Sequence, residues 1–320
     1  MSSEDTTVIR TQGLSKAYNG VTALQDLDLT VRQHSICGFL GPNGAGKTTT
    51  IKLLLGLTRP TRGTATVFGH DITTASAEIR RRVGYLSQEP RYYDHFTARE
   101  TLRFTAGFFY SGPKAQIEAR VAETLELVGL DDKADRPIRG FSGGEVQRLG
   151  IAQAQVNYPD LLILDEPAAS LDPMGRRDVL AVMERLRQYT TIFYSTHILS
   201  DVQRVSDTVV ILNHGALVTE APIQDLLTGS EGSVYSLTIR GDAGDAHARV
   251  LDQPWVTGIT AGEQGDQTSW EVQVTDDEAA EDQLLRLVLA DRGLQVTSSG
   301  RKQYELEEVF MDLVEEESDG

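Results

Sequence analysis

Eight consecutive residues of this 320-residue chain form a recognisable pattern: Gly41-Pro42-Asn43-Gly44-Ala45-Gly46-Lys47-Thr48. They fit G-x-x-x-x-G-K-[S/T], in which glycines let the backbone turn tightly and point its N–H groups at an anion. In such a loop the lysine reaches the β- and γ-phosphates of a nucleotide, and the adjacent hydroxyl ligates Mg²⁺. We therefore expect these residues and Thr49 to bind the phosphates, with Thr48 as a metal ligand.

The residues on either side of the loop support this interpretation. An apolar run at residues 36–40 precedes the loop, as a buried strand would, and residues 49–57 follow it with one apolar helical face. The following helix would add its positive N-terminal end to the anion site. The alternative is a chance glycine-rich turn, but the strand–loop–helix context favours nucleotide binding.

A second set of residues lies about a hundred positions further on. Ser142-Gly143-Gly144-Glu145 is followed, after about a dozen residues, by Leu161-Leu162-Ile163-Leu164-Asp165-Glu166-Pro167. The apolar residues before Asp165 indicate a strand buried on both faces, which ends at the sheet edge where ligands of open α/β folds bind. Taken alone, the Ser-Gly-Gly stretch could be an ordinary turn, and the two acids could cap a helix.

Taken in order, these stretches resemble the ATP-binding-cassette (ABC) ATPases, and the resemblance covers about residues 8–229. The matching positions are Lys47, Gln88, Ser142, Asp165, Glu166, Asp172 and His197. The resemblance implies an α/β P-loop NTPase fold with a parallel core sheet, an antiparallel β edge and a helical subdomain. It also implies that the nucleotide is ATP.

The resemblance assigns a role to each catalytic position. Asp165 would hold Mg²⁺ beside Thr48, and Gln88 would sense the ion and the water. Glu166 would orient or deprotonate the attacking water, and His197 would contact the γ-phosphate. Without the other motifs, Gln88 would be a polar residue at a strand end and His197 a structural histidine.

Other positions match residues that hold the nucleotide or join two cassettes. Tyr18 matches the aromatic residue that stacks on adenine, although a tyrosine at a strand end more often simply packs. In the family, two cassettes pack head to tail. Ser142, Gly143 and Gly144 of one copy would then close over the ATP of the other, beside the loop that contains Asp172.

Two signature positions depart from the family pattern. Phe141 and Glu145 stand where Leu and Gln are usual. Phe for Leu is an apolar exchange, but Glu145 introduces an anion near bound phosphate. We expect Glu145 to point away and to form a local ion pair with Arg148.

Composition excludes several classes of protein. No apolar run approaches the ~18–20 residues of a membrane span, and the acidic N-terminus is unlike a signal peptide. The single cysteine, Cys37, fits core packing in a reducing compartment. Net charge is −17, and residues 231–320 have 21 acidic and 6 basic residues, against 26 and 24 in residues 1–230. This acidity argues against nucleic acid as a partner.

The chain divides into two predicted domains. Residues 7–229 would form the ABC ATP-binding domain, with a helical subdomain at about 90–159, and residues 230–320 an acidic α+β accessory domain. Gly229–Ser233 is typical of a linker. The stretch Leu306–Phe310 resembles C-terminal extensions of ATPase subunits in drug and antibiotic exporters, although an amphipathic helix would explain it equally well.

The leading hypothesis is the ATPase subunit of a membrane transporter, an exporter, acting as a homodimer or cassette pair. It would lie in the cytoplasm on the inner face of the cell membrane, bound to a separate polytopic permease. Tyr92, Tyr93 and Phe96 could contact that permease or pack in the core. The alternative is a soluble nucleotide switch in translation or DNA maintenance; a metabolic kinase would leave the Ser-Gly-Gly turn and His197 unexplained.

Overall fold

A computed structural model describes residues 7–228, 233–241, 243–264, 267–290, 293–302, 306–307 and 309–311. Within these residues the chain divides into two compact units, the first ending at Ile223 and the second beginning at Gln224. The predicted boundary between residues 229 and 230, and most of the predicted linker, lie outside the described residues.

Six of the described strands of the first unit form one sheet in the order β10-β9-β3-β8-β7-β6. All neighbours are parallel except β10, which runs antiparallel to β9. The strands are β3 (Ile36–Leu40), β6 (Val83–Leu86), β7 (Leu161–Asp165), β8 (Thr191–Thr196), β9 (Thr208–Asn213) and β10 (Ala216–Pro222). All residues of β3, β7 and β8 are buried, as expected for strands covered on both faces.

A separate antiparallel sheet packs with this core, in the order β2-β1-β4-β5. Its strands are β1 (Thr7–Tyr18), β2 (Val21–Arg32), β4 (Arg62–Val67) and β5 (His70–Asp71). The alternation of apolar and polar residues through positions 8–31 predicts this antiparallel pairing, and the prediction is confirmed. Side chains from both sheets, among them Leu27, Phe39 and Phe193, share one buried cluster.

Helices connect and cover these strands. The segment between β6 and β7 is helical, as predicted, and its helix α3 begins with a capping box between Thr97 and Glu100. The helices of the first unit are α1 (Lys47–Leu54), α2 (Ser76–Arg82), α3 (Ala98–Ala106), α4 (Lys114–Leu127), α5 (Gly143–Gln155), α6 (Pro173–Leu186), α7 (Leu199–Val205) and α8 (Ile223–Thr228), which crosses into the second unit.

The second unit is a four-stranded antiparallel sheet with two helices. Its strand order, β12-β13-β11-β14, and its β-α-β-β-α-β element order are those of a split βαβ fold. Its core includes Trp255 and Trp270. The elements are β11 (Ser233–Arg240), α9 (Gly244–Leu251), β12 (Val256–Gln264), β13 (Gln267–Val274), α10 (Asp277–Val288) and β14 (Gln295–Arg301).

The predicted α/β class is confirmed, and the differences lie at the level of elements. The sequence pattern predicts strands at residues 234–239 and 270–274 and a helix at residues 278–289, which match β11, β13 and α10, but it did not predict α9, β12 or β14. None of the described residues of β12 and β14 is buried, and α9 buries only Ala246 and Val250, so their apolar patterns are weak. Of the predicted final helix, residues 306–307 and 309–311 are helical and Leu306 is buried, whereas Glu308 and Leu313 lie outside the described residues.

Candidate functional site

The glycine-rich loop connects β3 to α1 at the carboxyl end of the parallel sheet. Gly41 donates its N–H to the carbonyl of Thr196 at 3.2 Å, which ties the loop to the end of β8. Gly44 and Gly46 have positive φ angles, 85° and 103°. The loop therefore depends on backbone conformations that residues with a Cβ rarely adopt.

Close backbone contacts also explain two of the glycines. A Cβ on Gly46 would lie 2.6 Å from the carbonyl oxygen of Ala23, and one on Gly41 would lie 2.4 Å from that of Leu212. A Cβ on Gly44 would meet nothing within 4 Å. The loop is thus packed tightly against β2 and β9 and is open at Gly44.

Lys47 is the first residue of α1, and its ammonium group reaches back to the loop, where three oxygens hold it. Its Nζ donates to the carbonyls of Gly41 at 2.6 Å and Pro42 at 3.2 Å. It also forms an ion pair with Glu166 Oε1 at 3.2 Å, and both side chains are about 95% buried. In such a site an unpaired charge would be costly, so the pair fixes both groups.

Thr48 and Asp165 come together although they are far apart in the sequence. The Thr48 hydroxyl lies 3.1 Å from Asp165 Oδ2, and the hydroxyl of buried Ser195 donates to Asp165 Oδ1 at 2.6 Å. The pairing of Asp165 with Ser195 follows from the register of β7 against β8. The hydroxyl and the carboxylate are the hard oxygen ligands that Mg²⁺ prefers.

Glu166 is the point where the remaining groups converge. Its φ is 52°, a left-handed conformation, and its N–H donates to the hydroxyl of Ser195 at 3.0 Å. One carboxylate oxygen contacts Lys47, and the other lies 2.9 Å from His197 Nδ1. Glu166 therefore has its backbone and both carboxylate oxygens held in place, as a positioned catalytic group requires.

Lys47, Thr48 and Glu166 border a cleft of about 470 Å³, whereas Asp165 and His197 do not line it. Gln88, which is predicted to contact the metal ion, also lines this cleft. The lining consists of Ala23, Pro42, Asn43, Gly44, Gly46, Lys47, Thr48, Thr49, Gln88 and Glu166. Gly41 and Ala45, the other two residues of the loop, are buried and do not line the cleft.

Tyr18 stands at the end of β1 and does not line this cleft. Its ring is 43% exposed, and Lys16 Nζ lies 4.8 Å from the ring centre. The exposed ring face is compatible with stacking on a base.

The Ser142 turn is likewise absent from the lining of the cleft. Ser142 caps the N-terminus of α5, and Gly144 packs close to Gly175 of α6, where an added Cβ would lie 3.1 Å from the Cα of Gly175. Asp172 is exposed and caps α6 by accepting the Gly175 N–H at 2.8 Å. Within the described residues, the N-terminus of α5, which carries the Ser142 turn, thus contacts α6, which Asp172 caps. Neither the turn nor Asp172 contacts Lys47.

Glu145 forms the predicted local ion pair, but the prediction that Arg148 is its partner is wrong. Lys133 Nζ lies 2.7 Å from Glu145 Oε1. Arg148 is three residues along α5 from Glu145 and instead donates to the carbonyls of Val128 and Gly129. Burial raises the pKa of Glu145, but the bonds from Lys133 and from the Ser142 N–H outweigh it and hold the pKa below its ordinary value.

Two contributors to the site are missing from the sequence prediction. Ser195 joins Asp165 to the backbone of Glu166, and Ala23 borders the cleft through β2. Ser195 lies two residues before His197 at the end of a predicted strand, so adjacency of parallel strands could have indicated it. Nothing in the sequence indicates Ala23, because its backbone carbonyl makes the contact with Gly46.

The helices that follow Asp172 and His197 are joined by an ion pair. Arg176 of α6 lies 2.5 Å from Asp201 of α7, whose side chain is almost fully buried. Burial raises the pKa of Asp201, and Arg176 offsets part of this increase. The pair holds together the two segments that carry Asp172 and His197.

Among the proposed permease contacts, Tyr92 and Tyr93 differ in exposure. Burial raises the pKa of Tyr92, whose hydroxyl approaches Gly150 of α5, whereas Tyr93 is 63% exposed and its ring lies near that of Phe96.

None of the described helices is long and apolar enough to cross a bilayer. The described residues also contain no cluster of three or more His, Cys, Asp or Glu that could hold a metal alone. Thr48 and Asp165 nevertheless fit Mg²⁺, which typically takes one or two protein ligands plus phosphate oxygens.

Comparison with known proteins gives consistent matches. A family model described as ABC transporter matches residues 24–169. The daunorubicin/doxorubicin resistance ATP-binding protein DrrA of Streptomyces peucetius is 35% identical over 314 residues, covering 98% of this chain and 94% of that protein. The bacitracin transport ATP-binding protein BcrA of Bacillus licheniformis is 42% identical over 222 residues, covering 69% and 71%.

A similar fold occurs in the ATP-binding cassette MJ0796, solved as a dimer in a post-hydrolysis state bound to ADP and Pi. The TM-score is 0.62 at 22% identity, over 68% of this chain and 99% of that one.

Proposed function

Because this chain belongs to the family of ABC transporter ATP-binding proteins, we propose that it is the ATP-hydrolysing subunit of an exporter whose permease is a separate polypeptide. One observation carries the proposal: Lys47, Glu166 and His197 form a connected cluster beside the glycine-rich loop. A cation for phosphate, a carboxylate for water and an imidazole that holds this carboxylate are the groups that ATP hydrolysis needs.

The proposed reaction is attack by water on the γ-phosphorus of ATP. A bond forms from the water oxygen to phosphorus while the bond to the bridging oxygen breaks, and ADP leaves with that oxygen. Glu166 accepts a proton from the water, and Lys47 and the loop N–H groups stabilise the negative charge on the phosphates. Mg²⁺, held by Thr48 and Asp165, would neutralise phosphate charge, and Gln88 would contact the ion and the water.

The remaining predicted residues are proposed to act on the base and in a second copy. The exposed ring of Tyr18 would stack on adenine. Ser142, Gly143 and Gly144 of one copy would contact the ATP of the other, with Asp172 beside them, since a helix N-terminus presents unpaired N–H groups to an anion. ATP would favour the closed pair because it binds that state better, and hydrolysis would favour opening.

The exporter assignment rests on the relatives, whose names concern bacitracin transport and daunorubicin/doxorubicin resistance. The permease would dock on the helical segment near residues 90–109, where Tyr93 offers an exposed aromatic ring. The chain would thus be a peripheral protein on the cytoplasmic face of the cell membrane. Residues 230–320 would form an accessory domain that follows the ATP-binding domain 7–229.

The test of the enzymatic proposal is Glu166→Gln, with exposed Glu78→Gln on α2 as the matched control. Loss of the base should lower ATP hydrolysis by about 10²–10⁴-fold while ATP is still bound. Light scattering should show a stable dimer in ATP for this variant, whereas the control should match the parent. A Glu166→Gln protein that stays monomeric in ATP and still hydrolyses it would refute the mechanism.

Transport is tested separately by the partner that co-purifies with the tagged full-length chain. We expect a polytopic membrane protein, retained after detergent extraction of the membranes. Association with ribosomes or DNA alone would overturn the exporter assignment and favour a soluble switch.

A further inference from the structure

Three side chains at the N-terminus of α5 form a connected unit, which we call the Ser142 lock: Ser142, Glu145 and Lys133. The Ser142 N–H donates to Glu145 Oε2 at 2.8 Å, and the Ser142 hydroxyl oxygen accepts the Glu145 N–H at 3.3 Å. Lys133, which precedes α5 in a short 3₁₀ turn, donates to Glu145 Oε1 at 2.7 Å. Both carboxylate oxygens of Glu145 are therefore engaged.

The lock fixes the direction of the groups that α5 presents at its N-terminus. Because Ser142 Oγ accepts the Glu145 N–H, the hydroxyl hydrogen is not used in that bond and can be donated outward. The two-way capping box holds the Ser142 backbone at φ −71°, ψ 164°. The N–H groups of Gly143 and Gly144 follow directly and belong to the first, unpaired turn of the helix.

The lock also carries an electrostatic cost. Glu145 is a carboxylate that is only 8% exposed, at the helix end that would otherwise attract an anion. In such surroundings a net negative charge acts over several ångströms with little screening by water. The Lys133 ammonium, at ion-pair distance, cancels that charge locally.

We propose that Lys133 is a positioning residue for the closed, ATP-bound pair of chains. It neutralises Glu145, so that this carboxylate can cap α5 and orient Ser142 without repelling the phosphates held by the other copy. The inference rests on the proposed closure and adds to it a residue outside the Ser-Gly-Gly turn. It also accounts for an acidic residue in the first turn of a helix whose N-terminus is proposed to meet phosphate.

The neutral amide of glutamine separates the two functions of Glu145. In Glu145→Gln the side-chain oxygen can still accept the Ser142 N–H, so the capping box is kept and the negative charge is removed. In Lys133→Gln the cap is kept, but Glu145 loses its ion-pair partner and retains only the weaker attraction of Arg136. The double variant has neither charge and keeps the cap.

The experiment measures ATP-driven dimerisation of the full chain by sedimentation velocity, in a Glu166→Gln background that suppresses hydrolysis. Four proteins are compared: the background, the background with Lys133→Gln, with Glu145→Gln, and with both. Lys114→Gln, which replaces an exposed lysine at the start of α4, is the control for losing a positive charge elsewhere in the helical segment. Binding of a fluorescent ATP analogue to dilute, monomeric protein is measured in parallel.

We expect Lys133→Gln to weaken dimerisation about tenfold, equivalent to about 1.4 kcal/mol, while nucleotide binding by the monomer stays within about twofold. Adding Glu145→Gln should restore dimerisation to within about threefold of the background, and Lys114→Gln should have no effect. A change that merely loosened the fold would not be rescued by a second substitution.

The inference is overturned if Lys133→Gln dimerises like the background, or if the double variant is no better than Lys133→Gln alone. A different result marks failure of the proposed function itself: the background protein then fails to dimerise in ATP at all. In that case the closure on which Lys133 would act does not exist, and the inference fails with it.

Discussion

Ser195→Ala removes a hydroxyl that links the two acidic residues of the site. The hydroxyl donates to Asp165 Oδ1 at 2.6 Å and accepts the Glu166 N–H at 3.0 Å, and the residue is fully buried. The substitution adds no atoms, so its effect comes from these two bonds. It tests whether the register of β7 against β8 positions Asp165 and Glu166.

The expected loss can be worked out bond by bond. A hydrogen bond to a charged group contributes about 1.5–3 kcal/mol, and Asp165 is only 2% exposed, so water cannot easily replace the hydroxyl. The Glu166 N–H keeps a second acceptor, the Ser195 carbonyl at 3.2 Å, so losing its bond to the Ser195 hydroxyl adds little to the free-energy change. We therefore expect the free energy of unfolding to fall by roughly 2–3 kcal/mol.

Calorimetry of the full chain should detect this as a drop of roughly 5–10 °C in the Tm of the first unit. ATP hydrolysis should fall as well, because Asp165 and Glu166 lose a shared support. Ser76→Ala, at the start of α2, serves as a control outside the site. The reasoning is refuted if Ser195→Ala unfolds within about 0.5 kcal/mol of the parent and hydrolyses ATP at the parental rate.

Two further outcomes follow from the loop and from the Ser142 lock. Gly46→Ala should destabilise the chain by about 3 kcal/mol and abolish nucleotide binding, because its Cβ would lie 2.6 Å from the Ala23 carbonyl at a φ of 103°. Gly44→Ala, with no atom within 4 Å, should cost only about 1–2 kcal/mol in urea unfolding; equal losses would contradict the steric argument. The folded-state pKa of Glu145 lies below its ordinary value of 4.5, so its stabilisation is present above that pH and lost as pH falls through the lower folded value. Thermal scans between about pH 3 and pH 6 should show this loss in the parent and a smaller one in Glu145→Gln; identical profiles would count against the lock.

The sequence alone was sufficient where chemistry and backbone conformation reside in neighbouring residues. The loop from Gly41 to Thr48 encodes its own turn through glycines, and the apolar runs before Gly41 and before Asp165 encode buried strands. The α/β class and the family were predicted from these motifs, and the structure and the comparisons confirmed both. The capping box at Ser142 is also local, since its partner is three residues away.

The local sequence pattern was insufficient to predict contacts that depend on tertiary packing. Arg148 is one helical turn from Glu145 along α5, whereas Lys133 is 12 residues away along the chain and meets Glu145 only through the folding of the segment before α5. The strands of the second unit were only partly predicted, because none of the described residues of its two outer strands, β12 and β14, is buried and their sequences lack a clear apolar pattern.

Sequence by itself determined that this chain holds a phosphate-binding loop, two acids after a buried strand and a histidine after another. Only the tertiary structure decided that Ser195 joins the two acids, that Glu166 is held between Lys47 and His197, and that Lys133 neutralises Glu145. The physical reason is the separation along the chain over which each kind of interaction acts. Backbone propensity and motif chemistry act over a few residues, whereas these contacts span from 12 to about 120 positions and are set by tertiary packing and, between β7 and β8, by strand register.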